Sequence, residues 1–341
     1  MILLASSGAA QYPTGYDPAD YGDYDDYARF QNGCGSEVGD RGSKQVSYET
    51  YCTSGNDDGG TVEAFEVEFR VGDETTFAAE GARVAGASSG SGSVIAFEYL
   101  LEVREIVEFR DDGDGKYIPE KDETIHKDSI TASGWGAIRS STPESGGIAF
   151  EADYTMARGG TFSIHGKATG GTYSEGGVSV KPFDTKIDFL FSGYQYSADD
   201  TQLAIVLDVE SEGAVVQGSG RSSFGQGGGA VQSSERGLVG AAGSTQVYFT
   251  WAKTATVDGK STPVGHHVVM AQDESANVES EGGSVSAYEA KAAVSLAYER
   301  GDEIVHDPRL GVQFNVKKDS PGVATVSLVA VLALAALVRR R

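Results

Sequence analysis

The chain is expected to fold as an all-β protein, a large antiparallel β-sandwich ectodomain followed by a single C-terminal transmembrane helix. Three observations carry this reading. Apolar residues recur with period two over most of residues 45–316, clusters of Gly, Ser and Asp interrupt these runs, and 46 glycines without a Gly-X-Y period describe a chain of many turns. With 341 residues and 39% hydrophobic content the chain can bury a sizeable core, which excludes wholesale disorder. Its net charge of −23 excludes a protein that binds nucleic acid by neutralising phosphate.

In chain order, residues 1–10 read as the remnant of a secretory signal, a scrap of apolar sequence from Ile2 to Ala5 and small residues ending at Ala9-Ala10, with a mature start near Gln11. Residues 11–44 are an acidic, Tyr/Asp-rich tail and a cysteine loop. Five Tyr and five Asp fall within 11–31, with almost nothing aliphatic, so this part cannot bury a core. Cys34 and Cys52 are the only cysteines. In an exported protein an even count favours a disulfide, and closing a loop of this length is worth roughly 3 kcal/mol. Zinc would need more ligands, and neither a CxxC nor a paired His stands nearby.

Residues 45–316 form the sandwich. The longest alternating run places Phe97, Tyr99, Leu101, Val103, Val107 and Phe109 on one parity, with Glu98, Glu102, Arg104, Glu108 and Arg110 on the other, and Glu105 is the only charge on the apolar side. This predicts one long half-buried strand. The same alternation recurs in Ile187–Phe191, Leu203–Val209, Val247–Trp251 and Val294–Tyr298. Connections too short for helical crossovers favour antiparallel pairing. No composition break marks a linker, so one sandwich is preferred to two packed ones. No repeat of fixed period is evident, which argues against a propeller or solenoid.

The best candidate site follows the long strand, in FRDDGDGKYIPEKDE. Asp112-Gly113-Asp114-Gly115 has the alternating carboxylates and turn glycines of a calcium loop, and Asp111, Asp122 and Glu123 are expected to complete the oxygen shell. The alternative is a solvated hairpin turn, since Asp-Gly is itself a hairpin signal. No catalytic or organic-cofactor residues are expected. His266 and His267 are neighbours on a strand and point to opposite faces. The sequence has no HExxH and no G-x-S-x-G. His306-Asp307-Pro308 reads as a turn rather than a catalytic dyad.

Residues 317–341 read as a membrane anchor. The uncharged run 323–338 is followed at once by Arg339, Arg340 and Arg341, which fixes the arginines in the cytoplasm and everything before Ser320 outside. Ser320-Pro321-Gly322, the apolar segment and the arginine cluster together resemble the PGF-CTERM sorting signals of archaeal surface proteins, with Val323 where that pattern has Phe. The resemblance implies processing by an archaeosortase-type enzyme. The stretches FEYLLEVREIVEF and AYERGDEIVHDPRLGV look like segments of uncharacterised secreted archaeal β-proteins, a likeness that brings no activity with it.

The expected protein is therefore a non-enzymatic, acidic cell-surface sandwich, anchored in the cytoplasmic membrane by residues 322–338. Calcium would stiffen it, and its role would be structural, adhesive or ligand-binding, with an envelope polysaccharide or its own copies as partners and no nucleic acid. The alternative is a carbohydrate-binding or carbohydrate-active protein on the same scaffold, with Trp135, Trp251 and exposed Tyr lining a concave sheet face.

Overall fold

The computed structural model describes residues 33–314, apart from 41–42, 57–58, 86–92, 144–146, 170–172, 176–177, 181–182, 219–231, 235–236, 243–244 and 281–282. The expected signal remnant, most of the Tyr/Asp-rich tail and the C-terminal anchor lie outside the described residues. Among the described residues no helix is long and apolar enough to cross a membrane.

The described chain is all-β, and every strand pairing in it is antiparallel. The strands are β1 Gly33–Asp40, β2 Gln45–Asn56, β3 Gly59–Arg70, β4 Thr75–Ala85, β5 Ser93–Arg110, β6 Glu123–Ser129, β7 Arg139–Ser141, β8 Ile148–Thr155, β9 Thr161–Ala168, β10 Tyr173–Glu175 and β11 Val178–Val180. They continue with β12 Asp184–Ser192, β13 Gln202–Gly218, β14 Gln232–Ser234, β15 Gly237–Ala242, β16 Thr245–Thr250, β17 Thr254–Val257, β18 Lys260–Pro263, β19 Gly265–Ser280, β20 Gly283–Tyr298, β21 Glu303–His306 and β22 Arg309–Phe314.

Two large sheets hold nearly all of them. The first has the order β1-β2-β3-β4-β5-β13-β20-β19, with β6 added beside the lower half of β5. The second is built on β12, which pairs with β9 on one side and with β21 and β22 on the other. Residues of both sheets share one hydrophobic core. The alternation seen in the sequence sets the faces: Ile148, Phe150, Ala152 and Tyr154 of β8 are buried, while Ala149, Glu151 and Asp153 between them are partly exposed. Between the sheets Phe69 stacks on Phe77 at 4.6 Å and on Phe150 at 4.9 Å. Gly166 makes room for this stack, because a Cβ there would meet the Phe150 ring at 1.9 Å.

The long strand β5 does not keep one apolar face. Val103 pairs with Leu207 and Glu105 with Val206, so Arg104 is an extra residue, a β-bulge. Side-chain parity inverts there. Tyr99, Leu101 and Val103 face the shared core, and so do Ile106 and Glu108, whereas Val107 and Phe109 turn to the outer face. On that outer face they form a second small cluster with Tyr117, Ala204 and Ala297. The bulge gives one strand to two cores, which the period-two reading of residues 97–109 as a single face did not anticipate. Glu105, expected among the apolar residues, instead pairs with Lys127 at 3.0 Å.

Candidate functional site

The acidic turn between β5 and β6 brings together three of its five expected ligands. Asp111, Asp112 and Asp114 each place an oxygen within 4.8 Å of the others. Gly113 and Gly115 take positive φ of 109° and 74°, so the backbone needs glycine at both positions. The carboxylates also cap the turn: Asp112 accepts from the Asp114 amide at 3.3 Å, Asp111 from the Gly115 amide at 3.1 Å, and Asp114 from the Lys116 amide at 2.9 Å. Asp122 and Glu123 are engaged elsewhere. Asp122 is buried and accepts from the amides of Ile118 at 2.6 Å and Asp112 at 3.2 Å, closing the loop from inside. Glu123 pairs with Arg110, which also holds Asp200 at 2.7 Å.

Glu108, expected on the solvent side of β5, is fully buried. Burial alone would raise its pKa. Hydrogen bonds from the Thr201 hydroxyl (2.7 Å), the Ser197 amide (2.5 Å), the Ser197 hydroxyl (2.8 Å) and the Tyr194 hydroxyl (3.3 Å) outweigh that and hold the carboxyl below its ordinary value. The carboxylate thus pins the 193–201 loop to the sheet. From outside, Arg300 lies 4.7 Å from the Tyr196 ring centroid and grips the Ala198 carbonyl. His306 is another satisfied core residue. Its Nδ1 meets the Tyr298 hydroxyl at 3.0 Å and its Nε2 the Ala252 carbonyl at 2.9 Å, so it makes no dyad with Asp307. Trp135 and Trp251 are 5% and 4% exposed, and neither offers a ring face to a sugar.

On the outer face of the second sheet, Asp188 lies 2.5 Å from Lys186, which also faces Asp307 at 3.8 Å. Burial pushes the Asp188 carboxyl up to about 6, Lys186 opposes the shift and Asp307 adds to it.

Cys34 and Cys52 occupy directly opposed positions in the β1–β2 ladder. Opposed residues of an antiparallel pair have Cα atoms about 4.5–5.5 Å apart, within the roughly 4.4–6.8 Å that a disulfide spans.

The most ordered constellation is one that the sequence reading missed. Glu37, Glu49, Glu66, Glu80, Glu98, Glu212, Glu289 and Glu274 stand opposite one another across β1, β2, β3, β4, β5, β13, β20 and β19, one from each strand of the first sheet's main path. This row runs straight across the sheet at about 4.8 Å per strand. Its five described side chains, Glu49, Glu66, Glu80, Glu98 and Glu212, are partly exposed on the outer face, since Val67, Ala79, Tyr99 and Ser211 beside them are buried.

Two further rows share its register and strand parity. Ala64, Ala82, Ala96, Ala214, Ala287 and Ala276 form the first, and Val62, Val84, Val94, Val216, Val285 and Val278 the second. Six strands therefore carry one motif, V-x-A-x-E on β3, β5 and β20 and E-x-A-x-V on β4, β13 and β19. The residues of the opposite parity are mixed: Phe65, Phe97, Tyr288, Gly81, Gly213 and Ser275 lie between Ala and Glu, and Glu63, Ile95, Ser286, Arg83, Val215 and Asn277 between Val and Ala. One parity of these six strands is therefore uniform in sequence, and the other is not. No protein-family model matches the chain, and a search of the curated proteins finds no match, so the residues themselves carry the functional reading.

Proposed function

We propose that the chain is a non-enzymatic, membrane-tethered surface protein whose working part is the repeated Val-Ala-Glu face of its first sheet, in a structural role within the cell envelope. One observation carries the reading: six strands repeat the same three alternate residues in register, while the residues between them differ. A catalytic site needs a few unlike groups converging on one point, whereas a flat row of identical groups suits contact with an extended partner. The apolar segment 323–338 with its terminal arginines would hold the sheet outside the membrane. A Cys34–Cys52 disulfide would secure the edge strand β1 in an oxidising exterior. Calcium at Asp111, Asp112 and Asp114 belongs to the same proposal, as a clamp on the β5–β6 turn.

Fractionation of cells tests the reading. Deleting residues 321–341 is expected to release the chain into the medium. In the full chain, Ala82→Lys with Ala96→Lys should free the protein from the envelope once detergent has removed the membrane, while the unaltered chain stays with the insoluble envelope. Equal release of both chains would refute a working role for this face.

A further inference from the structure

We propose that the Asp307–Pro308 peptide bond is self-cleaving, cut by the Asp307 side chain with Asp188 as the proton donor. The proposal goes beyond the surface role above and does not depend on where the chain resides.

The bond joins β21 to β22. Proline has no N–H to give a ladder, so the strand run breaks at Pro308, and Asp307 stands one step past the Phe189–His306 pair, opposite Asp188. Pro308 is buried and its carbonyl accepts from the Ile187 amide at 2.9 Å, so the peptide is held against β12. On the outer face of that strand Lys186 lies 2.5 Å from Asp188 and 3.8 Å from Asp307. The ammonium keeps the Asp307 carboxylate beside Asp188, and the two carboxyls share a hydrogen bond.

Such a bond needs a proton on one carboxyl. Burial places it on Asp188, which is pushed up to about 6, while Asp307, 44% exposed, keeps the charge that faces Lys186. Among the described residues, the other charged and titratable groups here are His165 of β9 opposite Asp188, Glu151 of β8 opposite His165, and Lys167 and Arg309 flanking Lys186 in the next row.

The chemistry follows from Asp preceding Pro. Attack of the Asp307 carboxylate on its own carbonyl closes a five-membered ring, so nucleophile and target are joined in one well-oriented residue. The proline nitrogen belongs to a tertiary amide and leaves once it receives a proton. An Asp307 carboxylate oxygen bonds to the Asp307 carbonyl carbon, the bond from that carbon to the Pro308 nitrogen breaks, and the nitrogen takes the Asp188 proton. A cyclic anhydride of Asp307 remains, which one water opens, returning a proton to Asp188. The products are a chain ending at Asp307 and a piece beginning at Pro308. β22 stays in place after the cut, because it pairs with β12 on one side and β16 on the other and buries Leu310 and Val312. Hydrogen bonds and packing alone then hold the last strand to the sheet.

Intact-mass spectrometry of the full chain in detergent, incubated for days at 37 °C at pH 5 and pH 7.5 and then denatured, tests the proposal. Pieces 1–307 and 308–341 are expected. With Asp188 protonated to about 90% at pH 5 and about 3% at pH 7.5, the rate should differ about 30-fold between them. Asp188→Asn should flatten that rise, His165→Gln should leave it in place, and Asp307→Ala should abolish the cut. Asp17–Pro18, the other Asp-Pro bond of the sequence, and Asp307–Pro308 itself in urea are the references, and the folded chain should cut at Asp307 about tenfold faster than either. Should Asp188→Asn fail to fold, the comparison of folded with urea-held wild-type chain stands by itself. A bond that stays whole, that is cut no faster than the references, or whose pH rise disappears with His165 rather than with Asp188, overturns the proposal.

Discussion

Truncating Asp122 should loosen the acidic turn from the inside. The buried carboxylate accepts from the Ile118 amide at 2.6 Å and from the Asp112 amide at 3.2 Å, and so ties the two limbs of the 111–122 loop together. A buried donor left without its acceptor costs about 1–3 kcal/mol. Asp122→Ala strands two amides, one of them with the longer bond, so a loss of about 2–4 kcal/mol is expected. Asp122→Asn keeps one oxygen acceptor and should lose about half as much. Asp114→Ala serves as the control: its carboxylate is exposed and accepts from the Lys116 amide at the surface, so its loss should stay within ~0.5 kcal/mol. Urea melts at neutral pH measure all three variants. A loss for Asp122→Ala no larger than that of the control would refute the internal brace.

Two titrations, one buried and one half-buried, act in opposite directions. Burial holds His306 down at about 4, below its unfolded value, so its contribution is complete above about pH 6.5 and is lost as pH falls toward 4. His306→Gln should flatten that acid limb in a pH series of melts. Asp188, pushed up to about 6, costs stability above that pH and ceases to do so as pH falls toward its unfolded value near 4. Asp188→Asn should therefore raise Tm at pH 7.5 and leave it unchanged at pH 4, and a gain at both would show that charge is not the cause. Glu108→Ala should cost about 3–5 kcal/mol, because four hydrogen-bond donations converge on a fully buried carboxylate; urea melts measure it, and a loss under 1 kcal/mol would mean water replaces the carboxylate. Non-reducing peptide mapping should find Cys34 joined to Cys52, and two alkylatable thiols would contradict the bond.

Much of the fold was legible because a half-buried strand writes its environment into alternate residues. β8 and β9 keep that alternation from end to end, and β12 keeps it from Thr185 onward. β5 breaks it at Arg104, where one inserted residue moves Glu108 inward and Phe109 outward, and nothing in residues 97–109 announces the insertion. The acidic turn was partly legible: Asp-Gly-Asp-Gly specified the two left-handed glycines, but not that Asp122 would bind backbone amides and Glu123 an arginine. The three-row face was written in the sequence and still unread. Its motif reverses on alternate strands and recurs at irregular intervals, so a search for a fixed period passes over it. Once strand direction is known, reading every second strand backwards recovers all six copies.

That reversal bears on how such a sheet could have arisen. A hairpin carrying V-x-A-x-E on one arm and E-x-A-x-V on the other is a complete unit, and a tandem copy of it extends each row by two residues without altering those already present. The breadth of the face is thus adjustable in steps of two strands by gene duplication alone, while the bulged half of β5, the His306 core and the pinned 193–201 loop stay as they are. Related chains with wider or narrower faces on the same base are the expected trace of that history.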